Sequence, residues 1–239
     1  MSDSAFAPTR WTRIVEARGE TPEARAALSD LCEAYYGPVL AFLKRERVGD
    51  AEAARELAQE FFRRLLAGAG VTGADPERGK FRSFLLGAVK HFLADQHDHT
   101  RRQKRGAGAI HEPLEPGTDS APGLDPADTR TVSPDVEFDR QWALTVLDRA
   151  FVALEGELTT EGKAAHLEVL QPWLTGAADH GAQLEAAQTL GLSETAVRVA
   201  VHRLRKRYRE AVRSELRQTL SPGESVETEL KHLFAALAG

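Results

Sequence analysis

Residues 183–209 read QLEAAQTLGLSETAVRVAVHRLRKRYR: a short helical stretch, a tight turn and a longer basic helix. Leu184, Ala187 and Leu190 recur at helical spacing. Gly191 ends that stretch, because glycine takes the left-handed backbone conformation at little cost. Ser193 stands as an N-cap, its hydroxyl placed to accept an orphan backbone N–H of the next helix. Val197, Val201, Leu204 and Tyr208 then follow at the spacing of a core-facing stripe. Arg198, His202, Arg205 and Arg209 run beside the stripe, and Arg203, Lys206 and Arg207 fill other faces. A capped helix with a buried stripe and a cationic flank, entered through a tight turn, is the pattern of a helix-turn-helix. Its second helix suits the major groove, with arginines available to phosphates and guanine edges. The alternative is an αα-hairpin with a solvated basic face; the agreement of turn, cap and one-sided charge favours DNA.

The rest of the chain must accommodate that element. It has 239 residues, 42% of them hydrophobic, enough for two compact domains or one large one. Alanine, leucine, glutamate and arginine are abundant and few stretches alternate with a period of two, which predicts an all-α protein. The formal net charge is −5, whereas a chain that grips DNA unaided is usually basic. Basic patches inside an acidic whole suit a protein carried to DNA by a partner. Cys32 is the only cysteine, which excludes an internal disulfide and a cysteine-based zinc site; its half-apolar surroundings predict a buried small hydrophobe. The opening MSDSAFAPTRW has no basic segment followed by an apolar run, and no stretch approaches the roughly 20 apolar residues of a membrane span. A cytoplasmic protein with no membrane association is expected.

Capping and breaking residues divide the chain into helices. The N-terminal domain is expected over residues 9–105. Within it, a short helix covers Thr12 to Ala17, and Thr21-Pro22 caps another running to about Tyr35. Gly37-Pro38 is read as a break before a further helix to about Arg47, and Asp50 caps one to about Ala67. Residues 68–79 form a glycine-rich loop. A long helix starts near Lys80 and reaches about Arg102, apolar nearly all round through Phe81, Phe84, Leu85, Ala88, Val89 and Phe92. Residues 106–134, rich in Gly, Pro and Asp, are read as a flexible acidic linker. The C-terminal domain, 135–220, starts with a helix capped by Ser133-Pro134 and running to Leu154. A second helix, from about Thr160 to Leu174, precedes the helix-turn-helix. Residues 221–239 hold a final amphipathic helix from about Glu224 to Leu237, which either caps the second domain or meets a partner.

Few residues suggest chemistry. Glu56, Gln59, Glu60 and Arg63 share one outward helical face opposite Leu57, Phe61 and Leu65, which by itself reads as solvated surface. The long helix ends in LADQHDHTRRQKRG, a second basic element carrying Arg101, Arg102 and Arg105. His91 and Asp95 share a face there, but His97 and His99 diverge from it, so no metal shell forms. No phosphate-binding glycine loop and no nucleophile with its base occur, so neither an enzyme nor a cofactor is expected.

In this order, the pieces resemble the extracytoplasmic-function class of bacterial RNA polymerase sigma factors. GDAEAARELAQEFFRRLL resembles the family's polymerase-binding helix, in which Glu56, Leu57, Gln59, Glu60 and Phe61 fall on its core pattern. The resemblance implies that Glu56, Gln59, Glu60 and Arg63 face core RNA polymerase. GKFRSFLLGAVKHFLADQHDHTRRQKR resembles the helix that melts and reads the promoter near minus ten. It thereby assigns Lys80, Arg82, Lys90, Arg101, Arg102 and Arg105 to promoter DNA. The 68–79 loop stands where the family captures a flipped base. The helix-turn-helix matches the reader of the minus-thirty-five element and implies DNA contact by Ser193, Thr195, Arg198, His202, Arg203 and Lys206. Val199-Ala200 departs from the polar or basic pair of many relatives, which throws base contact onto Arg198, His202 and Arg203. Anti-sigma proteins are a further kind of partner for this class. An operator-binding regulator acting without polymerase, or a sequestering partner protein, are the alternative functions.

Overall fold

The computed structural model describes residues 21–46, 50–67, 80–106, 132–177, 181–220 and 223–238. All regular structure among them is helical. The expected Thr12–Ala17 helix, the 68–79 loop and most of the linker lie outside the described residues.

Helix α1 spans Pro22–Arg45 without interruption, although Pro38 lies inside it. The break predicted at Gly37-Pro38 is therefore absent. An interior proline forfeits one backbone hydrogen bond and crowds a carbonyl, at about 3 kcal/mol. Leu31 and Tyr35 before it, and Val39, Phe42 and Leu43 after it, all bury into the same core. Burial of each large apolar side chain returns roughly 1.5–3 kcal/mol, so packing outweighs the local defect.

Helix α2 covers Ala51–Leu66 as expected, with the Asp50 carboxylate accepting the backbone N–H groups of Glu52 and Ala53 at 3.0 and 2.9 Å. Helix α3 covers Phe81–Gly106. Helix α4 runs Pro134–Thr160, capped by the Ser133 hydroxyl, which accepts from the Val136 N–H at 3.3 Å. It exceeds the expected end at Leu154 because Leu154 and Leu158 both have a core to enter. The stretch expected as one helix over 160–174 is divided. Gly162, at φ +70°, makes a turn that ordinary residues resist, and the Lys163 N–H donates to the Leu158 carbonyl at 2.7 Å. Helix α5 (Ala164–Leu170) then stops before Pro172, which opens the single turn α6 (Pro172–Thr175). Helices α7 (Ala182–Leu190), α8 (Glu194–Arg217) and α9 (Val226–Ala238) complete the described chain.

Two apolar clusters hold these helices together. The first joins Phe42 of α1, Phe61 of α2, Phe81 of α3 and Trp142 of α4 with Leu216 of α8 and Leu233 of α9. It thus draws on both sides of the 107–131 segment. The second gathers Leu154, Leu158, Leu167, Leu170, Ala187, Val197 and Val201 from α4, α5, α7 and α8. Helices α4 and α8 run through both clusters, and Tyr208 packs against each. Its hydroxyl donates to the Leu147 carbonyl at 3.1 Å. Arg149 of α4 adds a polar tie, donating to Asp30 of α1 at 2.9 Å and to Glu215 of α8 at 3.2 Å.

Candidate nucleic-acid interface

The turn between α7 and α8 has the geometry its residues predict. Gly191 sits at φ +64°, the Leu192 N–H donates to the Ala187 carbonyl at 2.9 Å, and the Ser193 hydroxyl accepts the Ala196 N–H at 3.2 Å. The Gln183 amide donates to the Glu194 carbonyl at 3.0 Å and ties the two helices side by side. Val197, Val201 and Leu204 are buried, which fixes the rotation of α8. Leu184, read as part of a regular apolar series, is instead 53% exposed; the alanines Ala186 and Ala187 make the contact, so the helices approach closely.

That rotation leaves Ser193, Thr195, Arg198, His202, Arg203 and Lys206 exposed. Arg198 donates to the Thr195 hydroxyl at 3.3 Å, which orients the guanidinium along the outer face. His202, Arg203 and Lys206 join no ion pair among the described residues. Arg205, Arg207 and Arg209 of α8 are instead engaged by partners within the chain, although Arg205 and Arg209 are themselves exposed. Arg205 donates to the Trp173 carbonyl at 3.1 and 2.9 Å, and Arg209 to the Arg205 carbonyl at 3.2 Å. Arg207 binds Glu157 and Glu161 at 2.9 and 2.8 Å. Hydrogen bonds from Arg207 and Lys163 hold the Glu161 carboxyl down at about 2. Charge alone did not distinguish these arginines from the cations unpartnered among the described residues; their carboxylate and carbonyl partners come from α4 and its C-cap Glu161, from α6 and from α8 itself. The fold also exposes Val199, at 45%, beside an open groove between α5 and α8 that Leu167, Leu170 and Arg203 help to line. Its place off the 197/201/204 stripe is the sequence signal for that exposure.

On α2, Glu56, Gln59 and Arg63 are exposed and Glu60 is half-buried, opposite the buried Ala58, Phe61, Phe62 and Leu65. Glu60 accepts from Arg63 at 2.7 Å and from Arg64 at 2.6 Å, and those hydrogen bonds hold its carboxyl down at about 2. The Arg64 guanidinium also lies 5.2 Å from the Phe92 ring centre, stacking α2 on α3. Glu56, Gln59, Glu60 and Arg63 thus share one polar ridge of α2.

The cations of α3 are placed differently. Arg82 is 9% exposed, lies over the Trp142 ring at 4.5 Å and binds Asp139 and Glu229. Lys80 binds Glu229, and Lys90 binds Asp135 at 2.7 Å. Arg101 and Arg102 are exposed near the end of α3. Arg105 belongs to that helix by its backbone, and its side chain lies outside the described residues. Phe81 and Phe92 are buried and Phe84 is half-buried, so these rings serve packing. Asp135, Asp139 and Glu229 were not singled out in the sequence; Asp135 and Glu229 stand in first helical turns, where an acidic residue also suits the helix dipole, whereas Asp139 lies beyond the first turn of α4. Among the described residues no group of three or more His, Cys, Asp or Glu gathers as a metal site.

Comparison of the chain with profiles of protein families, with curated proteins and with solved structures found no match in any of the three. No described helix is long and apolar enough to cross a membrane.

Proposed function

We propose that this chain is a sigma factor of the extracytoplasmic-function class, which binds core RNA polymerase and directs it to promoters. The observation that carries the reading is the coexistence of two open, differently charged faces. One is the Glu56, Gln59, Glu60 and Arg63 ridge of α2, backed by buried aromatics. The other is the exposed Arg198, His202, Arg203 and Lys206 surface of α8, set behind a capped turn. In this account the ridge binds the polymerase and α8 enters the major groove upstream. Ser193 and Thr195 lie at the N-terminus of α8, where backbone N–H groups favour phosphate. Arg198, His202 and Arg203 meet base edges, and Lys206 meets the backbone. Arg101 and Arg102 track the strand near minus ten. The polymerase performs the chemistry. A net charge of −5 keeps the free chain from gripping DNA strongly alone, and joining two modest contacts on one partner raises their effective concentration.

The test is gel filtration of the purified chain with core RNA polymerase. Co-elution as a defined complex supports the proposal. A chain that emerges alone, yet shifts duplex DNA unaided, contradicts it and favours an operator-binding regulator.

A further inference from the structure

The fold treats its candidate nucleic-acid cations in two ways. Those of α8, with Arg101 and Arg102 near the end of α3, stand open, whereas Lys80 just before α3 and Arg82 and Lys90 within it each meet a carboxylate from the far side of the 107–131 segment. Glu229 of α9 is the centre of this arrangement. It is 1% exposed, with one carboxylate oxygen accepting from Lys80 Nζ and the other 3.3 Å from Arg82 Nε. His232, one turn further along α9, brings its Nδ1 to 3.5 Å from Arg82 Nη2. Asp139 is the remaining carboxylate on Arg82, and it belongs to α4 rather than α9.

Helix α9 packs on α4 and α8 along one of its faces. Leu233 enters the first core fully, while Val226, Leu230, Ala236 and Leu237 are only partly buried against it. The opposite side is exposed, Phe234 at 61%. The helix has 13 residues and follows a turn in which Gly223 takes φ +88°. To an ammonium or a guanidinium, a carboxylate and a nucleic-acid phosphate are ligands of the same kind, both anionic oxygen acceptors. A phosphate can therefore take the place of Glu229 at Lys80 and Arg82, but only if α9 moves off the start of α3.

We propose that α9 is a displaceable clasp, whose Glu229 occupies a phosphate site formed by Lys80 and Arg82 until a nucleic-acid strand takes it. The proposal rests on the reading of α3 as a DNA-contacting element. Its consequence is that strand binding at α3 and seating of α9 exclude one another.

Glu229→Gln removes the charge while keeping the shape. The probe is a fluorescein-labelled single strand of mixed sequence, titrated by anisotropy across a salt series. Lys80 is freed fully and Arg82 in part, so the slope of log K against log[salt] should steepen by roughly 0.7–1.4, with about tenfold tighter binding near 0.1 M salt. A variant of unchanged helix content whose affinity and slope equal those of the wild type overturns the clasp. Should the variant lose helix content, hydrogen exchange of the wild type with saturating strand decides instead. Faster exchange over residues 226–238, with α1 still protected, supports the clasp, and unchanged protection there overturns it. Co-elution of the wild type with core polymerase is measured in parallel. A complex without any gain from Glu229→Gln refutes the clasp alone; a gain without a complex upholds the covered phosphate site and refutes the sigma-factor reading.

Discussion

Replacing Glu229 by leucine isolates what its buried carboxylate contributes to stability. The side chain is 1% exposed and sits between two cations. Without it, Arg82 keeps Asp139 and the Trp142 ring, and Lys80, with 16% of its side chain exposed, can turn toward solvent. Breaking a buried ion pair outright costs about 3–5 kcal/mol. The surviving partners place this case lower, at about 2–3 kcal/mol by the same reasoning. In a chain of this size each kcal/mol moves the melting temperature by about 2–4 °C, so a fall of about 4–12 °C is expected. Adding Arg82→Met should recover part of the loss, because an apolar pair of similar volume often replaces a buried ion pair at little cost. The coupling between the two positions should be about 1–3 kcal/mol. Thermal and urea denaturation followed by circular dichroism on every member of the cycle measures it. A melting temperature within about 2 °C of wild type for Glu229→Leu, or strict additivity, would refute the reasoning and leave α9 held by apolar contacts alone.

Other outcomes follow from the same geometry. Gln59→Ala with Glu60→Ala should weaken co-elution with core polymerase while helix content stays constant, since both side chains face outward from a buried stripe; undiminished co-elution would remove this ridge from the polymerase contact. Arg198→Ala should lower discrimination between promoter and non-promoter duplex by ~1–3 kcal/mol, whereas an equal loss on every sequence would make Arg198 a phosphate contact. Arg101→Ala with Arg102→Ala should reduce the salt dependence of promoter-complex formation, and an unaltered slope would take both off the strand. Burial pushes the Cys32 thiol up to about 12 from an ordinary 9.0, so folding favours its protonated form. That contribution to stability is complete below about pH 9 and fades as pH rises toward 12. At mildly alkaline pH the thiol should resist labelling in the folded chain and react once urea unfolds it; prompt labelling of the folded chain would contradict its burial.

Local chemistry was the readable part of this sequence. Asp50, Ser133 and Ser193 cap helices because each places a side-chain oxygen over orphan N–H groups, an interaction complete within three residues. The α7–α8 turn was legible for the same reason, with Gly191 supplying a conformation that other residues resist. The exposed cations of α8 followed from the buried stripe that fixes its rotation. What was not legible depends on partners distant in sequence. Pro38 reads as a stop until Phe42 and Leu43 are known to share a core with Leu31. Nothing near Arg82 announces that Glu229 and Asp139 will meet it, so its burial could not be read from a basic helix. Likewise, no local signal shows that Trp142 and Leu233 enter the core of the N-terminal helices rather than one of their own.

The central claim is that this chain makes a polymerase selective for promoters. Run-off transcription on a library of genomic promoter fragments, with purified core RNA polymerase and the purified chain, tests it most directly. The account predicts discrete transcripts that require both the chain and core enzyme, and that weaken with Gln59→Ala and Glu60→Ala together. Transcripts no different from those of core enzyme alone, at concentrations where the chain binds duplex DNA by itself, would contradict it.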